Sequence, residues 1–137
     1  MAKAILDTNV VVSGLRNPDG NSAAILRLAE SRAFRCYVSQ EILAEYNEVL
    51  NRPVLDFQPH QIAKVMQMIR RRSRLVIPSK RLNVTSDPDD NVFLECALEA
   101  RADYVVTGNV RHFPSRFQDI RIVKPRQFLS NLGAGLR

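Results

Sequence analysis

The amino-acid sequence predicts an α/β domain built around a largely parallel β-sheet. Apolar runs of strand length alternate along the chain with helical patterns, as they do in successive βαβ units. These runs are continuously apolar, which is typical of strands covered by helices on both faces. A chain of 137 residues with 45% hydrophobic content can form one core but hardly two, so we expect a single domain over residues 1–137.

Five apolar runs are predicted to form the strands. They lie at residues 3–6, 35–38, 74–78, 103–107 and 120–124. Residues 17–21 and 51–59 are rich in Pro, Gly and Asn and are predicted to be loops.

Four helices are predicted between the strands, at residues 22–31, 40–51, 59–72 and 89–101. The third shows the helical period most clearly, with apolar residues at i, i+3, i+4 and i+7, namely Ile62, Val65, Met66 and Ile69. The arginines at its end complement the negative end of the helix dipole, and we interpret them in that way. Residues 131–137 have the composition of a mobile tail.

The composition favours a cytoplasmic protein that meets polyanions. Lys and Arg number 20 against 14 acidic residues, giving a net charge of +6 and a pI near 9.9. No run of 18 apolar residues and no secretory leader pattern is present, so we expect a cytoplasmic location without membrane association. Cys36 and Cys96 each lie in an apolar run, which favours reduced core thiols over a disulfide or a zinc site.

Acidic residues stand where an α/β sheet binds its ligands, beyond the carboxyl ends of the strands. Asp7 directly follows the first strand, and Glu45 borders the apolar stripe of the helix at 40–51. Asp90 lies on the apolar stripe of the helix at 89–101, whereas Glu95 and Glu99 are predicted to lie outside it. We therefore expect Asp7, Glu45 and Asp90 to converge.

Each acid also has a plainer interpretation that the sequence leaves open. Asp7 could cap a helix or start a turn, and Glu45 could be a solvated glutamate. Asp87 is a suitable N-cap, and Asp89 and Asp90 would face the positive end of the helix dipole. Capping explains one or two of these acids, but an inward carboxylate at Asp90 needs a partner, and a cation is the simplest one.

Polar residues after the fourth strand complete the predicted site. Thr107 and Asn109 should reach the same edge of the sheet, and a set of carboxylates and an amide suits Mg²⁺ or Mn²⁺. On a basic protein, a hard cation in an acidic site suggests phosphodiester chemistry. Arg111 and Arg116, which follow Asn109, are candidates for contacts with substrate phosphates.

Three segments in order resemble the PIN domain family, in particular its small members that act as toxins in toxin-antitoxin pairs. They are AILDTNVVVSGL at 4–15, SQEILAEYNEVL at 39–50 and DPDDNVFLECALEARADYVVTGNVRHF at 87–113. The resemblance extends from about residue 2 to residue 124 and implies a three-layer α/β/α fold with a roughly five-stranded parallel sheet. It also implies a Mg²⁺- or Mn²⁺-dependent ribonuclease, an antitoxin partner and a homodimer.

By position, the resemblance assigns the family's first three acids to Asp7, Glu45 and Asp90, and its supporting polar residues to Asn9 and Thr107. The chain departs from the family at the fourth acid, where the candidate positions hold Asn109 and His112. A second metal would then bind more weakly, unless Asp87 or Asp89 substitutes.

Four alternatives compete with a metal-dependent ribonuclease, and one of them, a haloacid-dehalogenase-like phosphatase, lacks the second aspartate that it needs at the position of Asn9. A PIN-like module that binds RNA or protein without cutting is favoured by the missing fourth carboxylate. A phosphoacceptor receiver domain needs an aspartate at the end of the third strand, and residues 74–80 contain none. Dinucleotide binding is excluded because no G-x-G-x-x-G follows the first strand.

Overall fold

The computed structural model describes residues 1–135 and shows a mostly parallel sheet between layers of helices. The strands are β1 (Lys3–Leu6), β2 (Arg35–Val38), β3 (Arg74–Leu75), β4 (Tyr104–Val106), β5 (Arg116–Phe117) and β6 (Ile120–Val123). The helices are α1 (Thr8–Arg16), α2 (Asn21–Glu30), α3 (Gln40–Leu50), α4 (Pro59–Arg72), α5 (Pro88–Ala100) and α6 (Pro125–Gly133). Short 3₁₀ turns lie at Pro53–Leu55 and Val110–His112. The predicted three-layer α/β/α class is confirmed.

The sheet has the strand order β3-β2-β1-β4-β6-β5. All five predicted strands are present and pair in parallel, while β5 adds a short antiparallel edge strand. The third strand is only two residues long, because the chain leaves the sheet before Ile77, which is 82% exposed, and Pro78 has no N–H for a ladder.

Two helices were not predicted from the sequence. Helix α1 begins immediately after β1 and contains a run of three valines, which disfavours helix by intrinsic propensity. Burial of Val10 and Val11, at 1% and 0% exposure, outweighs that propensity. The connection between β1 and α1 is so short that the sequence contains no loop pattern there.

Helix α6 corrects the prediction of a mobile tail from residue 131. Asn131 is buried at 5% exposure, and its amide donates to the Tyr104 hydroxyl at 3.1 Å. Phe128 of the same helix is fully buried and packs edge-on against Tyr104 and Phe34. The last two residues of the predicted tail, 136 and 137, lie outside the described residues.

The helix starts follow the predicted capping chemistry. Ser39 caps α3 by accepting from the N–H of Ile42 at 3.2 Å, and Asp87 caps α5 by accepting from the N–H of Asp89 at 2.9 Å. Both cysteines are free and buried. Among the described residues, no helix has the length and apolar character needed to cross a bilayer.

The topology brings the ends of neighbouring strands together. Strand β1 lies between β2 and β4, and Leu6 pairs in register with Val106. The residues that follow these strands therefore emerge side by side at one edge of the sheet, which we call the carboxyl edge. The residues that precede β1, β2 and β3 meet at the opposite edge, which we call the amino edge.

Candidate active site

The first acidic residue is held at the junction of a strand and a helix. Asp7 follows β1, caps α1, and accepts the backbone N–H of Thr8 at 2.7 Å. Its side chain is buried, with 6% of the residue exposed. Burial raises the pKa of the Asp7 carboxyl, while hydrogen bonds donated to its two oxygens oppose that rise. Hydrogen bonds therefore hold the Asp7 carboxyl in a buried environment that disfavours its negative charge.

Two polar side chains clamp one oxygen of Asp7. The Thr107 hydroxyl donates to Oδ2 at 2.7 Å, and Nδ2 of Asn9 donates to the same oxygen at 3.0 Å. The Asn9 Oδ1 accepts the backbone N–H of Gly108 at 2.9 Å, and the Thr107 Oγ1 accepts that of Asn109 at 2.9 Å. These bonds tie the start of α1 to the loop after β4. Thr107 and Asn9 thus orient Asp7, in the supporting positions that the sequence indicated.

Asp90 lies in the first turn of α5, close enough to Asp7 for that negative charge to affect the pKa of Asp90. Its side chain is 15% exposed. Burial, followed by the negative charges of Asp7 and Asp87, raises the pKa of Asp90 to about 6. His112 opposes this rise, with its Nδ1 lying 3.6 Å from the Asp90 Oδ2. Within residues 1–135, neither Asp7 nor Asp90 has a Lys or Arg nitrogen within 4 Å.

Glu45 lies beside a different acid from the one expected. It is half-buried on α3, and the Thr8 hydroxyl donates to its Oε2 over 3.4 Å. Burial, and then the negative charges of Asp89 and Glu48, raise the pKa of Glu45. Glu45 and Asp89 line a shallow cleft of about 390 Å³ between α3 and α5. The structure thus links Glu45 to the Asp7 region through Thr8, which the sequence analysis did not single out.

The acids form two pairs, Asp7 with Asp90 and Glu45 with Asp89. No group of three or more His, Cys, Asp or Glu side chains in the described part of the chain is close enough to hold one metal ion. Mg²⁺, however, is usually held by one or two carboxylates and keeps several of its waters. The first pair therefore suits such an ion in donor type and number, since neither carboxylate has a Lys or Arg partner among the described residues.

A basic cleft of about 360 Å³ follows β4 beside these acids. Asn109, Arg111, His112 and Lys124 line it. Asn109 and Arg111 are exposed, so a ligand in the cleft can reach both side chains. Lys124 reaches the cleft because the turn from β6 into α6 places it there, and no local sequence pattern predicts this position.

Arg116 lies elsewhere. It belongs to β5 and pairs in register with Arg121, which is itself level with Tyr104 at the start of β4. Arg116 is therefore displaced from the carboxyl edge by the length of β4. The structure brings Arg111 to the acids and does not bring Arg116 there.

Helix α5 also carries a buried acid that the sequence analysis placed wrongly outside the apolar stripe. Glu95 is 6% exposed, accepts from Nη1 of Arg81 at 3.1 Å, and accepts from the backbone N–H of Leu82 at 2.9 Å. The irregular segment 76–87 covers this face of the helix, so α5 is buried on more than one side. No local pattern reveals the pairing, since Arg81 lies 14 residues away in a segment without regular structure.

The chain is similar in sequence and in fold to known proteins over most of its length. The family model described as "PIN domain" matches residues 3–111. The chain is 33% identical over 110 residues to the uncharacterized protein MJ1680 of Methanocaldococcus jannaschii, covering 78% of this chain and 70% of the relative. In the crystal structure of VapBC2 from Rickettsia felis bound to a DNA fragment from their promoter, one chain matches with a TM-score of 0.61 and 16% identity. That match covers 89% of this chain and 98% of the other.

Proposed function

The chain belongs to the PIN domain family, and from that premise we propose that it is a Mg²⁺- or Mn²⁺-dependent ribonuclease. The observation that carries the proposal is the pair Asp7 and Asp90 at the carboxyl edge. Both carboxylates have a raised pKa and lack a Lys or Arg partner in the described structure, and a cleft lined by Arg111 and Lys124 lies next to them. Acidic side chains that can bind a cation, next to basic side chains that can bind a phosphate, suit phosphodiester hydrolysis.

Asp7 and Asp90 would hold the metal ion, and Glu45 would become a further acidic ligand only after a rearrangement that brings it to them. When bound, the ion would supply Lewis-acid polarisation of the phosphate and lower the pKa of a nearby water. Thr107 and Asn9 keep the Asp7 carboxylate in one orientation through their bonds to Oδ2. Orientation by a neighbouring polar residue is what metal-binding carboxylates generally require.

The basic cleft would position the substrate. Arg111 and Lys124 would neutralise phosphates of single-stranded RNA without reading its sequence. His112 lies next to Asp90 and can donate a hydrogen bond. Asn109 occupies the place of the family's fourth acid and provides no negative charge, so we propose that Asp89, opposite Glu45, supplies the remaining carboxylate of the site.

Cleavage of labelled single-stranded RNA with Mn²⁺, with Mg²⁺ and with a chelator tests this function directly. We expect cleavage only with the metals, and a loss of at least about 100-fold in Asp7→Asn and in Asp90→Asn. The matched control is Asp19→Asn, an exposed loop aspartate with the same change of charge. Equal cleavage by all four proteins, or full cleavage in the chelator, would refute the assignment.

A second candidate function is RNA binding without cleavage, favoured by the amide at Asn109. The same experiment separates the two functions, because a binder would retain RNA in a gel-shift assay and leave it intact with every metal. Promotion of cleavage by Asn109→Asp would show that the missing carboxylate limits the chemistry.

We also propose that the chain assembles with an antitoxin protein and as a homodimer. The support is the fold shared with the VapBC2 structure, whose description names a complex bound to promoter DNA. Co-expression with the product of a neighbouring small gene, followed by co-purification and size-exclusion chromatography, would test both assemblies.

A further inference from the structure

A further cleft, different in composition from the two at the carboxyl edge, lies at the amino edge of the sheet. It has a volume of about 310 Å³, and five arginines line it together with Met1, Phe34 and Ser73. These arginines are Arg32, Arg35, Arg71, Arg72 and Arg74, and we call the site the arginine cleft. Among residues 1–135, no acidic residue lines it.

The arginines come from two chain segments that the parallel sheet brings together. Arg32 and Arg35 lie in the turn before β2 and at its first position, and Arg71 and Arg72 end α4. Arg74 begins β3, the neighbour of β2. Because β2 and β3 run in parallel, the turns that precede them meet at the same edge.

The charge in this cleft is not neutralised by the protein. In the described residues, none of the five arginines has a carboxylate oxygen within 4 Å. In addition, the Nε of Arg72 is fully buried and has no hydrogen-bond acceptor there. A buried guanidinium donor without an acceptor is unusual in a folded protein.

The helix dipole accounts for only part of the cluster. The carboxyl end of α4 carries a partial charge of about −0.5, which favours Arg71 and Arg72 in its last turn. It cannot balance five full positive charges, and Arg32, Arg35 and Arg74 lie outside the helix. The sequence interpretation of this region as dipole compensation was therefore incomplete, because it lacked the arginines from the turn before β2.

We propose that the arginine cleft binds the phosphodiester backbone of single-stranded RNA at a site separate from the acidic one. Guanidinium groups bind phosphate oxygens through paired N–H donors, and a concave set of them fits a chain of phosphates better than a single planar carboxylate. Six residues of extended chain separate Met1 from Asp7, so the two sites lie roughly 20 Å apart. The cleft thus anchors RNA at a distance from the acids. The choice of RNA rests on the proposed function.

The test measures binding without cleavage. Fluorescence anisotropy with a labelled single-stranded RNA is carried out in chelator and in the Asp7→Asn background, over a series of salt concentrations. Arg35→Gln/Arg74→Gln removes two cleft charges, and Arg70→Gln/Arg101→Gln is the matched control, since both of its arginines are exposed and line no part of the cleft. Circular dichroism melts verify folding, and Arg35→Lys/Arg74→Lys replaces the first pair if it fails to fold.

We expect the cleft pair to weaken binding about tenfold and to reduce the slope of log K against log salt by about 1.4, the value for two phosphates on a single strand. The lysine pair should keep the slope and lose affinity several-fold, because lysine lacks the paired donors. The control pair should change the slope by less than about half as much.

Four outcomes would overturn the proposal. Equal weakening by both glutamine pairs would mean general electrostatic attraction. Unchanged binding in the cleft pair would mean that RNA does not use the cleft. Equally tight, arginine-dependent binding of poly-aspartate would mean that the cleft takes an acidic peptide, and displacement of RNA by millimolar inorganic phosphate would reassign it to free phosphate. Failure of cleavage in the wild type, with arginine-dependent binding intact, would refute only the proposed function.

Discussion

The two edges of the sheet differ in the sign of their charge and in the groups that contact the charged side chains. At the carboxyl edge, Asp7 and Asp90 have raised pKa values and are held by hydroxyl, amide and imidazole groups. At the amino edge, the arginine cleft has no acidic lining. Proteins generally pair buried or clustered charges, so two unpaired sets on one small domain indicate that ligands, not the fold, explain them.

The same contrast exists within one helix. Glu95 and Asp90 both lie on α5 with little exposure, but Glu95 has an arginine and a backbone N–H as partners, and Asp90 has only His112 at 3.6 Å. Glu95 therefore belongs to the structure, since it fixes segment 76–87 on the helix. The raised pKa of Asp90 indicates that its negative charge is unfavourable in the metal-free fold, which is typical of a functional group.

The largest expected effect concerns the paired acid. Glu95→Ala removes the acceptor of the Leu82 N–H and the buried partner of Arg81, so we expect the free energy of unfolding to fall by about 3 kcal/mol. Glu99→Ala, an exposed acid on the same helix, should lose less than about 1 kcal/mol. Urea denaturation measures both. Equal losses would remove the distinction between structural and functional acids on α5.

The second-largest expected effect concerns the hydrogen bond that Thr107 donates to Asp7. Thr107→Val keeps the shape of the side chain but removes the donor to Asp7 and the acceptor of the Asn109 N–H, so we expect about 2 kcal/mol of destabilisation. The pKa of Asp7 should rise further, because a bond to its charged form is lost. Thr107→Val should also weaken metal binding, and Thr107→Ser, which keeps the hydroxyl, should retain most of the metal affinity. A serine variant as impaired as the valine variant would show that packing, not the hydroxyl, matters.

Metal affinity at the carboxyl edge should depend on pH. Because the pKa of Asp90 is about 6, protons compete with the ion below that pH, and the apparent dissociation constant for Mn²⁺ should rise about tenfold per pH unit. Calorimetric titrations at pH 7.5, 6 and 5 measure this. A pH-independent constant over that range would place the metal away from Asp90.

The smallest effect is a gain in stability. The folded pKa of Asp90, about 6, exceeds its ordinary value of 3.8, so protonation favours the fold, and this contribution is present below pH 3.8 and lost as the pH rises through 6. Asp90→Asn, which carries no charge, should therefore stabilise the metal-free protein at pH 7 by roughly 1 kcal/mol after allowance for solvent screening, and by nothing near pH 4. Thermal melts at the two pH values, with exposed Asp89→Asn as control, provide the measurement. Destabilisation at pH 7 would contradict the pKa argument.

The fold could be predicted because its strands and most helices carry strong local patterns. The four predicted helices begin and end within one residue of the observed ones, and Ile62, Val65, Met66 and Ile69 are buried as their spacing indicated. Helix α1 was missed because three valines mimic a strand, and its stability comes from tertiary burial. Strand β5 was missed because two residues are too short to show a period.

The candidate site could be predicted only where local position decides the environment. Asp7 follows a central strand and Asp90 lies on an apolar stripe, so both stand out in the sequence. The pairing of Glu45 with Asp89, the cover over Glu95 and the arginine cleft depend on segments that are distant along the chain. A single sequence contains no local signal for such contacts.

The direct passage from β1 into α1 has a consequence for how the acids could meet. The backbone N–H of Asp7 bonds to the Val106 carbonyl at 2.9 Å, and its side chain caps a helix that begins at the next residue. Asp7 has no linker on which to travel, so it is the stationary member of the site. Any rearrangement that gathers a third carboxylate would therefore have to bring Glu45 on α3, or Asp89 in the first turn of α5, toward Asp7.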